Sequence, residues 1–419
     1  MLAPNGSVIR KLDLNQSELF AYPKLNEQFN SKNQPSLFLN PVFTNLNAET
    51  RLRMKLRHEA RNRRLVREAN NLPSFEGIEV FKKCLLSHAS SVKVDDLEMI
   101  FFDGYKAALA CAPAAVRNFL SVKLFFDLYL LCDWDNYVRV PVNCIISYIL
   151  KKREKTKFLI TLHWYDSSYQ GYLTEEDLKE YLVEQMLPRI PSLADIINSP
   201  MQEYYLCIAT RKFFFMLDQK HLKKLRIVDV VASGLLEEMM IACDPDKAQS
   251  LGSNSDESQL WFSRANCESI QSAYIELDVD GNGLLQYDEL KNFRQLSKFF
   301  IKRLFETVQT YDKDQIDLRG FCDLLLAMEN KSDLAALSFY FRLLDVDGDG
   351  YLNASDLQFF YRDVAELYEE ACSIIDPAPP FDDIKDEIFD MCRPADPTRI
   401  SFRELIDSGK GGTIVGMLT

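Results

Sequence analysis

The sequence predicts an all-α protein built from helix–loop–helix units whose loops can hold a metal ion. Two twelve-residue segments, 278–289 and 345–356, carry oxygen-bearing side chains at the alternating spacing of calcium-binding loops. Between residues 75 and 240, aliphatic and aromatic residues recur every three or four positions, which is the period of amphipathic helices. Weaker copies of the loop pattern lie in both halves of the chain. Together these observations predict paired EF-hands, several of them degenerate.

Length and composition indicate a large, acidic protein with several cores. The 419 residues are enough for two or three domains, and the 47% hydrophobic content can fill their interiors. The net charge of −13 argues against general binding to nucleic acid or to an anionic membrane. The chain has no apolar run of the roughly 18 residues that a membrane span needs, and no signal-peptide core. We therefore expect no nucleic-acid partner, no membrane insertion and a soluble, intracellular protein.

Neither the cysteines nor the known catalytic motifs indicate chemistry of the chain's own. The ten cysteines are scattered without a Cys-x-x-Cys pair, and the four histidines are isolated, so there is no zinc signature. Reduced thiols in a reducing compartment are the expectation. No Gly-x-Ser-x-Gly, His-Glu-x-x-His, kinase or dinucleotide fingerprint is present. The residues alone indicate a binding protein and no catalytic site.

The N-terminal region divides into a polar segment and a basic helix. Residues 1–48 are rich in Asn and Gln and lack a sustained apolar period, so we expect them to be partly disordered or docked through apolar spots. Residues 49–69 predict a helix. Its apolar side is formed by Leu52, Leu56, Ala60 and Leu65. Its basic residues are Arg51, Arg53, Lys55, Arg57, Arg61, Arg63, Arg64 and Arg67. They indicate either a solvated face or contact with an acidic surface, on this chain or on a partner.

Three loops between residues 133 and 229 keep the skeleton of a metal loop but have lost ligands. The loop that begins at Asp133 lacks the glycine and has Cys144 where the closing acid belongs. The loop that begins at Asp166 keeps the glycine and a closing Asp177, but has one carboxylate among its first three ligand positions. The 218–229 loop is filled with lysines and has no glycine. We predict that these hands are retained for packing.

The apolar residue at the eighth loop position is where two hands pair, and its spacing suggests the partners. Val140 and Leu173 lie 33 residues apart, and Ile316 and Leu352 lie 36 apart, which are natural separations for paired hands. We therefore expect Val140 to pair with Leu173 and Ile316 to pair with Leu352. Leu285 is expected to point inward and to pair with a second loop.

Two further segments delimit the predicted domains. Residues 244–258 are polar and contain glycine and serine, so we expect a linker between an N-terminal lobe, 49–243, and a C-terminal lobe, 259–410. Residues 411–419 are expected to form a flexible tail. The glycines near its start lack the spacing and the preceding strand of a phosphate-binding loop.

The 278–289 loop has the full complement of a calcium site. A hard cation takes six to eight oxygens at about 2.3–2.6 Å. The predicted ligands are the side chains of Asp278, Asp280 and Asn282, the carbonyl of Leu284, a water held by Gln286, and both oxygens of Glu289. Gly283 stands where the chain must turn without a Cβ clash. We predict a bound Ca²⁺ here.

The 345–356 loop matches the pattern except at its closing position, which is aspartate. Its predicted ligands are Asp345, Asp347, Asp349, the carbonyl of Tyr351, Asn353 and Asp356. Because aspartate is one methylene shorter than glutamate, closure by two oxygens is harder, which weakens calcium and favours the tighter octahedron of Mg²⁺. The sequence thus predicts one or two Ca²⁺ ions, with Mg²⁺ as an alternative in this loop. A last loop, 393–404, has lost its first ligand and is predicted to bind no metal.

Three strings resemble a known family more specifically than the loops do. They are RKFFFMLD at 211–218, WFS at 261–263, and DEIFDM at 386–391 followed by RPADP at 393–397. Over roughly residues 35–410 the chain resembles the B″ family of regulatory subunits of protein phosphatase 2A. Among its members it is similar to the shorter branch, which is linked to centrosomes, spindles and cortical microtubules.

This resemblance implies an elongated, all-helical arch of two lobes built from EF-hand pairs, with an N-terminal helical extension. It implies binding to the phosphatase's helical-repeat scaffold subunit and to its catalytic subunit, with Ca²⁺ in the two well-formed loops. The chain would choose substrates and location, in the cytoplasm at the centrosome, spindle or cytoskeleton, or in the nucleus, through a targeting protein of unknown identity. The alternatives are a calcium-dependent adaptor or sensor without a phosphatase partner and, last, an enzyme in its own right.

The triple-phenylalanine string has two interpretations. Core packing of Phe213, Phe214 and Phe215 is the simpler one. Contact of one ring with a partner is the other, because three successive helical positions cannot all face one core.

Overall fold

The computed structural model describes residues 48–90, 97–132, 137–242, 260–291, 293–308, 315–371 and 378–419. These residues form helices joined by loops, and the few strands are two or three residues long and occur in antiparallel pairs. The predicted all-α class is therefore confirmed. No helix within these ranges is long and apolar enough to cross a membrane. The predictions for the polar segment up to residue 47 and for the 244–258 linker fall outside the described ranges.

The chain forms two compact units that divide between Ile160 and Thr161. The elements of the first unit are α1 (Ala48–Asn70), α2 (Phe75–Ser87), β1 (Met99–Phe101), α3 (Phe102–Cys111), α4 (Ala114–Phe119), α5 (Leu124–Cys132), β2 (Arg139–Pro141) and most of α6 (Val142–Tyr165). The division lies inside α6, whereas the sequence placed it at residues 244–258. The reason is that helices before and after that predicted linker pack on one another within the second unit.

The core of the first unit surrounds its two paired strands. Ile100 of β1 pairs with Val140 of β2, and both side chains are fully buried. Phe125 of α5 is also fully buried and meets Phe102 edge-on, with 5.5 Å between ring centroids. Each such side chain contributes about 1.5–3 kcal/mol when it is fully removed from water. The first unit is therefore a hand pair with its own core, and its first hand, ahead of Ile100, was missed in the sequence.

Helix α1 is the predicted basic helix, but only its C-terminal end is packed. Leu65 is fully buried, whereas Leu52 is 57% exposed. Basic side chains pair along the helix itself, as in the 2.7 Å contact between Arg53 Nη2 and Glu49 Oε1. This exposure fits a solvated face and contact with an acidic surface of a partner equally, so both interpretations of the helix stay predictions.

The second unit contains the remaining hands. Its elements are β3 (Tyr172–Leu173), α7 (Glu175–Tyr181), α8 (Met201–Leu217), β4 (Leu225–Arg226), α9 (Ile227–Ala232), α10 (Leu235–Ala242), α11 (Arg264–Leu277), α12 (Tyr287–Leu290), α13 (Lys298–Thr307), α14 (Leu318–Glu329), α15 (Leu334–Leu344), β5 (Tyr351–Asn353), α16 (Ala354–Ala371), α17 (Phe381–Cys392), β6 (Arg399–Ser401), α18 (Phe402–Asp407) and α19 (Gly411–Leu418). Short 3₁₀ and π turns follow α7 and α12.

Polar residues ahead of these helices set where they begin. Ser263, Ser297 and Asp317 each accept, through the side chain, the backbone N–H of the residue three positions later. Thr174 and Ser401 form capping boxes at the starts of α7 and α18. A cap of this kind is worth about 1 kcal/mol, because it satisfies an N–H that the helix cannot. The caps thereby fix the direction in which each loop enters its helix.

The hands pair as neighbours along the chain, which differs from the predicted pairing. The pairs are Ile100 with Val140, Leu173 with Leu225, Leu285 with Ile316, and Leu352 with Ile400. The predicted pairings of Val140 with Leu173 and of Ile316 with Leu352 are therefore wrong. Because the first hand was missed, each pairing was displaced by one hand. The expectation that Leu285 pairs with a second loop is confirmed by reciprocal N–H···O bonds of 2.8 and 2.9 Å with Ile316.

The C-terminal residues form a packed helix, where a flexible tail was expected. After α18 the chain turns at Gly409, whose φ of +62° suits glycine, and continues into α19. Ile414, Val415 and Leu418 are fully buried. The expectation was wrong because these three apolar residues, at helical spacing among small ones, find a surface made by distant helices.

Candidate metal centre

The 278–289 loop is held at both ends by its own hand. Helix α11 ends where the Asp278 N–H donates to the Tyr274 carbonyl at 3.1 Å. On the far side, Leu285 is fully buried and bonded to Ile316. A capping box between Gln286 and Glu289 then starts α12. The ligand positions between these anchors are therefore held in place by the hand itself.

Three carboxylates converge inside this loop. One oxygen each from Asp278, Asp280 and Glu289 lie within 4.8 Å of one another. Asp278 Oδ2 accepts the N–H of Gly283 at 2.8 Å, and the φ of +79° at that glycine makes the turn. Glu289 accepts the N–H of Val279 at 2.9 Å through Oε1. This acidic oxygen set is the chemistry that a hard divalent cation requires, so the residues present fit calcium.

The other predicted ligands of this loop lie against the acidic cluster. The side-chain amides of Asn282 and Gln286 donate to Asp280 Oδ2 at 2.9 and 3.0 Å. Leu284 donates its N–H to Asn282 Oδ1 at 2.7 Å. Loop positions 3, 5, 7 and 9 are thus joined by hydrogen bonds beside the acidic cluster.

The 345–356 loop gathers a different set of carboxylates. One oxygen each from Asp345, Asp347 and Asp349 lie within 4.8 Å of one another, and the closing Asp356 stands outside this group. Asp356 is 3% exposed and accepts the N–H groups of Val346 and Asn353 at 3.1 and 2.9 Å. Its short side chain therefore makes the backbone bonds that Glu289 makes in the other loop, without reaching the cluster.

Burial distinguishes the second loop electrostatically. Burial raises the pKa of the Asp356 carboxyl; the N–H donors of Asn353 and Val346 oppose this shift, and the carboxylates of Asp347 and Asp345 add to it. A cation in this loop would relieve the repulsion among these acids. The carboxylate set fits a divalent ion, with weaker closure than in the first loop.

Three contacts support the remaining predicted ligands of the second loop. The Asn353 amide donates to Asp347 Oδ2 at 3.2 Å. Tyr351 lies in β5 under the guanidinium of Arg399, which is 4.2 Å from the ring centroid, and donates its N–H to Asp349 at 2.8 Å. The loop is thus braced by the hand with which it pairs.

The degenerate loops keep the same turn with other partners. Asp166 Oδ2 accepts the N–H of Gly171 at 2.7 Å, and Asp218 Oδ2 accepts that of Lys223 at 2.7 Å. In the first of these loops the Ser168 hydroxyl donates to Asp166. Among the described residues, neither loop contains an acidic triad. In the last loop Glu404 ties the backbone at Ala395 and Ser401, which needs no metal. The first residues of the loop that begins at Asp133 lie outside the described ranges.

The aromatic strings are packing sites within the second unit. Phe213 is fully buried and its ring centroid is 5.6 Å from that of Phe262. Phe214 and Phe215 are 6% and 9% exposed, and Phe215 meets Phe339 at 6.0 Å. The interpretation that one ring is free for a partner is therefore not supported. The successive rings pack against different neighbours, so all three can be buried without facing the same core.

Two bonds attach α8, which carries the first string, to the string at 261–263. Trp261 Nε1 donates to the Ile208 carbonyl at 3.0 Å, and the Tyr205 hydroxyl donates to the Phe262 carbonyl at 3.0 Å. Helix α8, which precedes the predicted linker, is thus hydrogen-bonded to the residues that follow the linker.

An ion pair that the sequence did not suggest connects α8 to α14. Arg211 donates from Nε and Nη2 to the two oxygens of Asp323 at 2.5 and 2.6 Å. The two residues are 112 positions apart, so no local pattern could have predicted the pair. The fork-to-fork geometry is the strong form of an arginine–carboxylate contact.

Comparison with known proteins gives consistent matches. The EF hand family matches residues 339–361, which contain the second loop. The B″ gamma regulatory subunit of serine/threonine-protein phosphatase 2A from Homo sapiens is 33% identical over 88% of this chain and 78% of its own length. The protein of the same name from Danio rerio is 31% identical over 100% of this chain and 89% of its own length. TON2 of Arabidopsis thaliana, a probable B″ regulatory protein of the same phosphatase, is 27% identical over 72% of this chain and 62% of its own length.

A solved structure shares the fold. A chain from a PP2A PR70 holoenzyme described as "diCa" superposes with a TM-score of 0.51 and 21% identity, over 63% of this chain and 95% of that one. At this identity the likeness concerns the fold.

Proposed function

This chain belongs to the B″ family of regulatory subunits of protein phosphatase 2A. We propose that it binds the scaffold subunit and the catalytic subunit of that phosphatase. The observation that carries the proposal is the relationship to B″ gamma proteins at 33% identity over 88% of the chain. The family is regulatory, so the chain is not itself an enzyme. In this role it would select substrates and location for a catalytic subunit that hydrolyses the phosphoester.

We further propose that the chain binds calcium, with one Ca²⁺ in the 278–289 loop and a second, weaker one in the 345–356 loop. The convergence of three carboxylate oxygens within 4.8 Å in each loop supports this. Mg²⁺ is the competing ion in the second loop, because its closing carboxylate is short and buried. Bound calcium would fix the angle between the helices that flank each loop and so tune the hold on the phosphatase core.

Co-purification tests the assignment. The full chain, tagged and expressed with the scaffold and catalytic subunits, is expected to recover both. Asp278→Ala with Asp345→Ala is expected to weaken this recovery or to remove its dependence on a calcium chelator. Recovery that is the same with and without chelator would remove the calcium switch but leave the family role intact. Absence of scaffold peptides from the captured material, by mass spectrometry, would favour a calcium adaptor without a phosphatase partner.

Location is a separate part of the proposal. The resemblance to the shorter branch of the family supports a place at the centrosome, the spindle or the cytoskeleton, through a targeting protein. A fluorescent fusion of the full chain imaged through cell division tests this. Uniform cytoplasmic or nuclear signal at all stages would contradict it.

A further inference from the structure

The fourth hand pair is the one in which Leu352 pairs with Ile400. Its metal loop, 345–356, is flanked by two helices, and the last helix of the chain packs on both. Helix α15 enters the 345–356 loop and α16 leaves it, and α19 packs on both of them. Gly411, at the start of α19, lies directly on Leu337 of α15, where a Cβ would stand only 2.7 Å from that side chain. The groove that an EF-hand pair offers to a partner helix is thus filled by the chain's own last helix.

The helix owes its existence to this groove. It has eight residues, three of them glycine, and such a segment does not hold a helical conformation by itself. Its buried face is Ile414, Val415 and Leu418, each with no exposed surface, whereas Thr413 and Gly416 on the other side are exposed. Packing on α15 and α16 is therefore what folds it.

With α19 docked, the 345–356 loop has its carboxylates held by backbone hydrogen bonds. Asp345 accepts the N–H groups of Gly348 and Gly350 at 2.8 and 2.9 Å, which holds the carboxylates in their cluster. If α19 leaves, the apolar surfaces that it covers on α15 and α16 are exposed to water, and the angle between these two helices is free to change. A metal bound in an EF-hand sets the angle between its two helices. Docking of α19 and binding of metal in the 345–356 loop would therefore both act on the angle between α15 and α16.

We propose that α19 is an intramolecular ligand of the fourth hand pair and that its docking raises the calcium affinity of the 345–356 loop. Since coupling is reciprocal, calcium in this loop strengthens the docking of α19 by the same factor. The 278–289 loop, whose helices α11 and α12 belong to the third pair, is expected to be indifferent. The inference rests on the calcium binding proposed above.

Two matched double variants of the full chain test it. Ile414→Asp with Val415→Asp places two carboxylates on the buried face and undocks the helix, because burying them is prohibitive. Thr413→Asp with Gly416→Asp adds the same charge to the exposed face and leaves docking intact. Each is measured by calorimetry with calcium in a Glu289→Gln background, where the first loop is weakened and the second loop titrates ahead of it. Binding of a hydrophobic dye reports whether the groove has opened.

The first double variant is expected to weaken calcium binding at the second loop about fivefold or more, and the second to leave it within about twofold. Equal losses in both would assign the effect to charge and overturn the proposal, as would an open groove with unchanged affinity. If the Glu289→Gln chain takes up no calcium, the second metal loop fails and this inference fails with it. Unchanged affinity of the first loop in an Asp345→Ala background shows that the variants fold. Gly411→Val, which meets Leu337, provides an independent and milder undocking.

Discussion

The 278–289 loop and the 218–229 loop make the same turn for different purposes. In both, the aspartate at the first position accepts the N–H of the sixth residue, at 2.8 Å in one and 2.7 Å in the other. The sixth residue has a positive φ in both, +79° at Gly283 and +56° at Lys223. Only the first of these loops also gathers Asp280 and Glu289 into an acidic triad.

The difference separates the structural role of the loop from its metal role. A first-position aspartate is a hydrogen-bond acceptor for the turn even where no metal can bind. Where the other carboxylates are missing, no acidic triad forms, and the pairing of hands stays intact, since Leu225 still pairs with Leu173. A degenerate hand is thus a complete packing unit. In the 278–289 loop, by comparison, the residues that make the turn can be told apart from those that only add carboxylates.

The largest effect is expected for Glu289→Gln. Loss of the closing carboxylate is expected to lower calcium affinity at the 278–289 loop about 100-fold, because ligand charge sets affinity in these loops. Calorimetric titration of the full chain measures it. Asp288→Asn is the matched control, since its carboxylate is 82% exposed, contacts Lys291 and points away from the cluster. Similar losses in the two variants would show that only general charge matters.

Asp218→Ala tests the structural role in the degenerate loop. Asp218 is 9% exposed and accepts two backbone N–H groups, so its removal is expected to cost about 1–3 kcal/mol of unfolding free energy. Calcium titration is expected to be unchanged. Asp229→Ala, which removes the exposed carboxylate at the end of the same loop, is expected to cost no more than about 0.5 kcal/mol. Urea denaturation measures both, and equal costs would contradict the division of roles.

A reciprocal exchange of closing residues sharpens the comparison between the two metal loops. Asp356→Glu is expected to raise calcium affinity at the 345–356 loop about tenfold and to improve selectivity against Mg²⁺, because the longer side chain can reach the cluster. Glu289→Asp is expected to lower affinity at the other loop by a similar factor. Calorimetric titration with each ion measures both. If Asp356→Glu weakens binding instead, the buried position rejects the added methylene and the length argument is wrong.

The smallest effect concerns the backbone alone. Lys223 adopts a φ of +56°, which favours glycine, so Lys223→Gly is expected to stabilise the fold by about 0.5–1 kcal/mol. Lys224→Gly next to it is expected to do the reverse, because that residue has no positive φ and stacks on Tyr172 at 4.8 Å. Thermal melting compares them. Uptake of one calcium ion more than the unaltered chain takes up would show that the turn, and not the ligand set, limits metal binding in the 218–229 loop.

The convergence of acidic side chains in the 278–289 loop was predictable from sequence because the information for it is local. Twelve consecutive residues specify Asp278, Asp280 and Glu289, and the structure brings these three together as expected. Pairing was less accessible, since the first hand carries its signal only at Ile100, without a recognisable ligand set. The Arg211–Asp323 pair and the docking of α19 depend on surfaces made by residues far away in the chain. Local patterns do not contain such contacts, which is why the last residues form a helix where a flexible tail was expected and why the two units divide within α6.

The contacts from α8 to Trp261, Phe262 and Asp323 also bear on how the protein unfolds. They lie on both sides of the segment that looked like a linker, and each is a buried or bidentate bond. A free fragment that began near residue 260 would expose Trp261 and leave Asp323 without its arginine. The hands from Thr161 onward are therefore expected to melt in one cooperative transition. Their folding would wait for α8, so that the middle of the chain, which has no acidic triad among its described residues, governs when the metal loops can assemble.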